Sequence, residues 1–323
     1  MVMAQSLFID IKARAPDTQI DVLAPAWTAA LIDRMPQVSE LISANFTHGK
    51  LSLGERFNLA RQLRAKAYDN AIVLPNSLKS ALVPAIAKIP RRTGFIGEQR
   101  WGLINDIRKL DKVALSMTVQ RFVALGLSAQ ATPPDPRSIP APLLEVNSSH
   151  VAEVLDKNNL NTTTPVLALC PGAEFGASKQ WPDEHYAVLA QHYLDLGWQV
   201  WLLGSAKDLP ICSTINNRCQ QQCYSLAGKT TLPEVIDLIS CAKLVISNDS
   251  GLMHIAAALQ IPLIAIYGST DPKHTPPLSK NHAIARLNLE CSPCFKRECP
   301  LQHLDCLRQL LPSQVIELAD RQL

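Results

Sequence analysis

Short apolar runs that alternate with helical patterns are the feature that most constrains the fold of this chain. They are clearest beyond residue 165, where each apolar run ends in a turn or a polar loop. The strand candidates cover residues 166–170, 199–203, 244–247 and 263–267, and the helical patterns cover residues 183–196, 232–242 and 251–259. Such alternation favours parallel βαβ units and predicts an α/β fold with a doubly wound sheet. Ligands of such sheets bind at the carboxyl ends of the strands, so the loops after these strands are the candidate binding site.

The length of 323 residues is typical of two domains. In the first half, residues 20–24 and 71–74 are predicted strands. Residues 53–67 form a predicted helix, whose inward side chains are Phe57, Leu59, Ala60 and Leu63. Five prolines between residues 129 and 142 indicate a linker. We therefore predict one domain over residues 1–150 and a second over 151–323, whose C-terminal helix can pack back on the first.

The composition excludes several classes of protein. With 47% hydrophobic and 18% charged residues, the chain suits a globular fold rather than a disordered one. Its most apolar stretch, residues 252–267, is interrupted by His254, Gln260 and Pro262, so it does not predict a transmembrane helix. The N-terminal residues lack the basic segment and cleavage site of a signal peptide. A cytoplasmic location is the resulting expectation.

Positive charge is concentrated between residues 79 and 112, although the formal net charge of the whole chain is only +3. That segment holds eight basic and three acidic residues. A local basic field indicates an anionic partner. A solvated surface of the protein would have the same composition, so both interpretations stay open at this point.

The loop at residues 171–182 carries groups that suit a phosphate. Gly172 and Gly176 allow backbone amides to approach an anion, and Lys179 supplies a positive charge just before a predicted helix. The spacing is not that of a Walker loop, because no Ser or Thr follows the lysine. The alternative is an ordinary strand-to-helix turn with a surface lysine.

Two further strand-end loops, at residues 248–254 and 203–208, carry polar groups. Their candidate ligands are Asp249, Ser250, Gly251, His254 and Asp208. An acidic side chain past a strand end suits ribose hydroxyls, and free amides at a helix start suit a phosphate oxygen. The alternatives are simple helix caps and, for the histidine, a core position. No GxGxxG motif occurs, which counts against an NAD enzyme.

In this order the loops resemble those of glycosyltransferase family 9, the lipopolysaccharide heptosyltransferases. The resemblance covers nearly the whole chain. It rests on CPGAEFG at 170–176, KQWP at 179–182, NDSGLMH at 248–254, APAW at 24–27, LPNSLKSA at 74–81, RRTG at 91–94 and GLIND at 102–106. It implies a GT-B fold, in which two Rossmann-like domains face a cleft.

The resemblance implies that the second domain binds ADP-L-glycero-D-manno-heptose. The implied donor-binding residues are Gly172, Ala177, Ser178, Lys179, Asp208, Thr230, Thr231, Asp249, Ser250, Gly251 and His254. Lys179, Asp249 and His254 would act in catalysis, with Lys179 and amides near Gly251 holding the diphosphate. Inversion by direct displacement then needs no cofactor and no metal.

The first domain would bind the acceptor, an anionic heptosylated Kdo–lipid A at the inner membrane, which gives the basic segment a function. The implied acceptor-binding residues are Asn76, Lys79, Arg91, Arg92 and Arg100. We expect a monomer with peripheral membrane contact, and nucleic acid is not an expected partner.

Residues 1–12 suit a helix rather than the strand that normally opens a Rossmann half. In the resembling family, a strand and a loop with the presumed general base precede the residues that match Met1 to Met3. We therefore expect this chain to lack that strand and that base, for which Asp10 is a poor substitute. The alternative function is accordingly a weak or silent nucleotide-sugar or acceptor-binding protein, or a family member with another sugar donor.

The chain contains nine cysteines, and their spacing raises the separate question of whether some of them bind a metal ion. Four of them are clustered as C-x2-C-x4-C-x6-C: Cys291, Cys294, Cys299 and Cys306. Four thiolates can hold a structural zinc ion, although this spacing is not a standard zinc pattern. Reduced thiols and redox-labile pairing are the alternatives, and a catalytic role is not expected.

Overall fold

The computed structural model describes residues 1–44, 46 and 51–323, and it divides the chain into two compact units between Pro140 and Ala141. This division lies before the boundary predicted at residue 150. The backbone N–H of Leu144 donates to the carbonyl of Ala258 at 3.1 Å, and the Leu144 side chain is buried. These contacts attach the residues just after the proline-rich linker to the second unit. The roles assigned to the two domains stay predictions.

The first unit begins with a helix, as the sequence predicts. Its elements are α1 (Gln5–Arg14), β1 (Asp21–Ala24), α2 (Ala29–Ile32), β2 (Glu40–Ser43), α3 (Leu53–Ala65), β3 (Asn70–Ile72), α4 (Leu78–Ile86), β4 (Arg91–Phe95), β5 (Asp106–Arg108) and α5 (Thr118–Gly126). The strands form two small parallel sheets, β1–β2 and β3–β4–β5. The strands predicted at 20–24 and 71–74 correspond to β1 and β3.

The strands of this unit are less buried than parallel strands normally are, since parallel sheets usually have both faces covered. Leu23 on β1 is 37% exposed, and Ile72 on β3 is half-buried. The apolar core is correspondingly divided into separate clusters, one of which packs Ala60 and Leu63 of α3 against Val83 of α4.

Helix α3 does not bury the face that the sequence suggested. Ala60 and Leu63 are buried as predicted, but Phe57 is 51% exposed, so its inward placement was wrong. Arg56 takes the inward position, and its guanidinium donates to the carbonyls of Leu51 and Lys79. Positions 56, 60 and 63 share one helix face, and residue 57 is turned about 100° away from residue 56.

The second unit is built on one parallel sheet. Its elements are α6 (Ser148–Lys157), β6 (Val166–Cys170), α7 (Asp183–Asp195), β7 (Gln199–Leu202), α8 (Leu209–Arg218), β8 (Tyr224–Ser225), α9 (Leu232–Ser240), β9 (Leu244–Asn248), α10 (Gly251–Ala258), β10 (Leu263–Ile266), β11 (His282–Ala285), α11 (Asp305–Arg308) and α12 (Pro312–Asp320). The strand order is β11-β10-β9-β6-β7-β8. The four predicted strands of this half are β6, β7, β9 and β10, and the predicted helices are α7, α9 and α10.

The central strands of this sheet are buried along their whole length, because helices cover both faces of a parallel sheet. The C-terminal helix α12 belongs to the same core. Its Val315 and Ala319 are fully buried in the cluster that contains Leu189 and Ile264. The apolar face of this helix is thus buried against the second unit, and its packing on the first domain stays a prediction.

The register of the sheet brings the loops of interest side by side. Cys170 at the end of β6 is paired with Ser247 of β9, and Asn248 at the end of β9 is paired with Ile266 of β10. Three neighbouring strands thus end at the same level. The loops that follow them leave the sheet together at its carboxyl edge, where ligands of such folds bind.

No helix within the described ranges is long and apolar enough to cross a membrane.

Candidate active site

A buried ion pair joins two of these loops. The ammonium of Lys179 donates to Asp249 Oδ2 at 2.5 Å, and the Thr270 hydroxyl donates to the same oxygen at 2.6 Å. The side chains of Lys179 and Asp249 are only 15% and 5% exposed. The loops after β6, β9 and β10 therefore meet in one charged cluster, which fixes the position of the Lys179 ammonium.

Asn248 holds the backbone of these loops in place. Its side-chain oxygen accepts from the Trp181 amide at 3.2 Å and from the Tyr186 hydroxyl at 3.0 Å. Its amide nitrogen donates to the Pro171 carbonyl at 2.8 Å. All of these groups are buried, so the network is well shielded from water and rigidifies both ends of the loop that carries Lys179.

The N-terminus of α10 lies directly after this cluster. Ser250 caps the helix by accepting from the Met253 amide, and Gly251 is exposed with open space where a side chain would stand. A helix N-terminus offers unpaired amides and a positive dipole end to an anion. Burial lowers the pKa of His254, one turn into the helix, to about 4. This imidazole is neutral at pH 7, so it adds no positive charge to the site.

Asp208 lies close to the loop at residues 171–182, which we call the lysine loop. A side chain at Gly172 would lie 2.3 Å from Asp208 Oδ1, and one at Gly204 would lie 2.8 Å from Asp208 Cβ. The other carboxylate oxygen accepts from the amide and hydroxyl of Ser205, both at 2.8 Å. Asp208 therefore caps its own turn and also borders the loop after β6, while its contact with a ribose stays a prediction.

The remaining predicted donor residues are tied into the fold. The Thr231 hydroxyl and amide both donate to Glu234, which makes a helix cap, and the Thr230 hydroxyl donates to the Leu226 carbonyl. Ala177 is exposed, whereas Ser178 is buried against Ser269. The structure thus brings Lys179, Asp249, Ser250 and Gly251 into one neighbourhood, and donor binding stays a prediction for every one of the implied donor residues.

The arginines predicted for the acceptor are engaged within the first unit. Arg91 donates to Asp106, Arg92 donates to the carbonyls of Leu103 and Ile89, and buried Arg100 donates to the carbonyls of Phe95 and Pro75. The Asn76 side-chain oxygen accepts from Arg100 at 3.3 Å. Lys79 is half-buried at the start of α4. The three arginines therefore hold neighbouring loops of the first unit in place. Acceptor binding stays a prediction for these arginines, for Asn76 and for Lys79.

Arg100→Ala is expected to lower the free energy of unfolding by about 2–3 kcal/mol, because buried carbonyls lose a charged donor. Lys79→Ala is expected to change it by less than about 0.5 kcal/mol, because the Lys79 ammonium, among the residues that the structure describes, forms no hydrogen bond or ion pair. Urea unfolding of both variants measures the difference. Equal midpoints for Arg100→Ala and the unaltered protein would contradict the structural role.

The cysteine cluster lines one small cavity, together with His303. All nine cysteines are free thiols, so redox pairing is not present in this structure. Within the described part of the chain, no three His, Cys, Asp or Glu side chains are arranged to hold a metal ion. The structural zinc hypothesis therefore has no support from the positions of these side chains.

Sequence reasoning missed three residues of this site. Thr270 follows β10 and could have been found by the rule that ligands bind at strand ends. Phe175 places its ring 5.0 Å from the Lys179 ammonium, and Arg297 lies 5.6 Å from the same ring. No sequence pattern connects Arg297 with this loop, because more than a hundred residues separate them.

A parallel sheet with a lysine–aspartate pair and an open helix N-terminus at its carboxyl edge defines an α/β protein that can bind a phosphorylated ligand. The chain belongs to glycosyltransferase family 9 (heptosyltransferase), whose family model matches residues 56–305. It is therefore a glycosyltransferase of the GT-B fold type, as the loop motifs predict.

Individual relatives agree with this assignment. The chain is 44% identical over 324 residues to lipopolysaccharide heptosyltransferase 2 of Escherichia coli K12, covering 98% of this chain and 93% of the relative. It is 46% identical over 296 residues to lipooligosaccharide heptosyltransferase 2 of Haemophilus influenzae, covering 89% and 85%. The solved E. coli ADP-heptose LPS heptosyltransferase II superposes with a TM-score of 0.89 at 41% identity, covering 100% of this chain and 94% of that one.

Proposed function

We propose that this protein transfers L-glycero-D-manno-heptose from ADP-heptose, with inversion, to the first heptose of the Kdo–lipid A inner core of lipopolysaccharide. The observation that carries the proposal is the cluster of Lys179, Asp249 and Thr270 beside the open N-terminus of α10. The two relatives named above are heptosyltransferases that act on lipopolysaccharide or lipooligosaccharide, at 44% and 46% identity. The solved relative of the same fold is named for ADP-heptose.

The transfer reaction requires the second unit to stabilise the ADP leaving group. The acceptor hydroxyl oxygen attacks the anomeric carbon, the bond from that carbon to the β-phosphate oxygen breaks, ADP departs with the bonding electrons, and the hydroxyl proton is released to solvent water. Lys179 and the amides at the start of α10 stabilise the charge that develops on the diphosphate. Asp249 holds the lysine in position before the donor arrives.

The ion pair also sets the electrostatics of donor binding. In the absence of donor, the Lys179 charge is compensated by Asp249 in a largely buried setting. Binding of a diphosphate then requires the ammonium to be shared between Asp249 and the phosphate. The resulting arrangement favours charge development in the transition state over tight binding of the ground state.

The first unit is proposed to bind the acceptor through the surface that carries Lys79 and the exposed basic residues of the 79–112 segment. The acceptor is anionic and membrane-embedded, so we place the reaction at the cytoplasmic face of the inner membrane, with peripheral contact.

Lys79→Ala is the variant that tests this surface. It should raise the acceptor KM and leave ADP affinity unchanged.

Calorimetry with ADP, UDP, GDP and NAD tests the donor assignment. ADP is expected to bind most tightly, with turnover of ADP-heptose on a heptosyl-Kdo-lipid A acceptor as the accompanying activity. Tighter binding of UDP than of ADP would reject the proposed donor. Binding of ADP without any turnover would instead favour a nucleotide-sugar-binding protein that lacks transferase activity.

A further inference from the structure

Residues 292–297, which we call the cysteine-loop segment, lie against the loops of the active site. The Ser178 amide donates to the Arg297 carbonyl at 3.2 Å, and the Ser178 hydroxyl donates to the Lys296 carbonyl. On the other side, the Phe295 amide donates to the Ser269 carbonyl at 2.7 Å. The segment is therefore tied both to the lysine loop and to the loop after β10.

The approach between this segment and the lysine loop is close enough to require glycine. Gly176 has a φ of +147°, and a Cβ at this position would lie 2.4 Å from the Arg297 carbonyl oxygen. The backbone of Arg297 is thus held at a defined distance from a loop that also carries Lys179. Its position does not depend on its own side chain.

The Arg297 side chain reaches the same aromatic ring as Lys179. The guanidinium carbon lies 5.6 Å from the centre of the Phe175 ring, and the Lys179 ammonium lies 5.0 Å from it. Both distances are within the range of cation–π attraction. Two positive charges therefore lie around one ring at the carboxyl edge of the sheet.

The two cations differ in their partners. Lys179 is paired with Asp249 at 2.5 Å, whereas Arg297 is exposed and, in the part of the chain that the structure describes, forms no ion pair. An incoming diphosphate carries more negative charge than one shared lysine can compensate. A guanidinium can bind two phosphate oxygens at once in a fixed geometry.

We propose that Arg297 is a second cation of the donor site, which binds the diphosphate of the nucleotide donor alongside Lys179. The inference deepens the proposed function and rests on it. The cysteine-loop segment, which follows β11 in the chain, then contributes to the donor site. It places the positive charge of Arg297 beside the loop after β6.

The test uses the full chain and compares ADP with adenosine, which lacks both phosphates. Arg297→Gln is expected to weaken ADP binding by about tenfold, equivalent to about 1.4 kcal/mol, and to leave adenosine binding unchanged. Arg297→Lys should recover part of the loss. Lys296→Gln, which removes the same charge from the neighbouring exposed residue, is the matched control and should bind ADP as the unaltered protein does.

The contact with Ser178 is made by the Arg297 carbonyl, so these substitutions leave it in place. Unchanged ADP affinity in Arg297→Gln would overturn the inference. So would an equal loss for adenosine, which would indicate a collapsed loop, or an equal loss in Lys296→Gln, which would indicate a diffuse surface charge. If the unaltered protein prefers UDP, the proposed function fails. If it prefers ADP and Arg297 has no effect, only this inference fails.

Discussion

Lys179→Ala is expected to reduce turnover of ADP-heptose by about a hundredfold or more. Removing a preorganised positive charge from the departing diphosphate raises the barrier by about 3 kcal/mol. Among the residues that the structure describes, the variant also leaves Thr270 as the one side-chain donor to the buried Asp249 carboxylate, whose charge lies where the phosphates are expected. Steady-state kinetics with saturating acceptor measures the loss in kcat and in kcat/KM.

The control for this prediction is Lys207→Ala. Lys207 pairs with Glu174 at 2.6 Å, but both side chains are more than 70% exposed, so the pair contributes little to stability. It should keep nearly full turnover. Lys179→Ala should also lose about 1–3 kcal/mol of unfolding free energy, because a buried acceptor loses its partner. Unchanged kinetics in Lys179→Ala would show that the lysine serves only the ion pair.

Gly176→Ala is expected to weaken ADP binding by about tenfold or more and to lower the free energy of unfolding by about 1–3 kcal/mol. Two causes act together at this position. The φ of +147° is strained for any residue with a Cβ, and the new methyl group would meet the Arg297 carbonyl oxygen at 2.4 Å. The loop must then move, and the hydrogen bonds of Ser178 to the cysteine-loop segment break.

Calorimetry with ADP and urea unfolding measure both effects. Gly54→Ala is the matched control, because it makes the same substitution at an exposed position of α3 with open space around the new methyl group. It is expected to leave stability unchanged or slightly higher, since alanine is the better helix former. If Gly176→Ala binds ADP as tightly as Gly54→Ala does, the close approach of the two loops is not required for donor binding.

The two variants separate two properties of the site. Lys179→Ala removes charge while the backbone of the loop stays in place, and Gly176→Ala displaces the backbone while every charge stays present. A loss in turnover that exceeds the loss in ADP affinity points to charge stabilisation in the transition state. Equal losses in both quantities point to positioning of the bound donor.

The fold of the second unit was predictable because its strands are buried on both faces. Such strands appear in a sequence as continuous apolar runs, and β6 matches its predicted range residue for residue. The rule that ligands bind at the carboxyl ends of parallel strands then directed attention to the loops with Lys179 and Asp249. The family motifs in these loops then predicted the glycosyltransferase family and its nucleotide-sugar donor.

The first unit was less predictable. Its strands are short and half-exposed, so they give weak apolar signals, and β4 and β5 begin or end in arginines and an aspartate. Helix α3 has apolar residues on more than one face, and the contacts of Arg56 with two carbonyls decided which face is buried. The charge of a segment also does not show which of its side chains are exposed. Arg100 belongs to the basic segment, yet its guanidinium is buried among carbonyls.

The amino-acid sequence by itself determined the parallel sheet of the second unit, the order of its loops and the residue types available for a diphosphate, because these follow from local patterns and short motifs. Only the tertiary structure decided which of those residues meet. The pair of Lys179 with Asp249 joins positions 70 residues apart, and the contact of Gly176 with Arg297 spans a still longer separation. Such contacts depend on strand register and loop packing, which arise only when the whole sheet has formed.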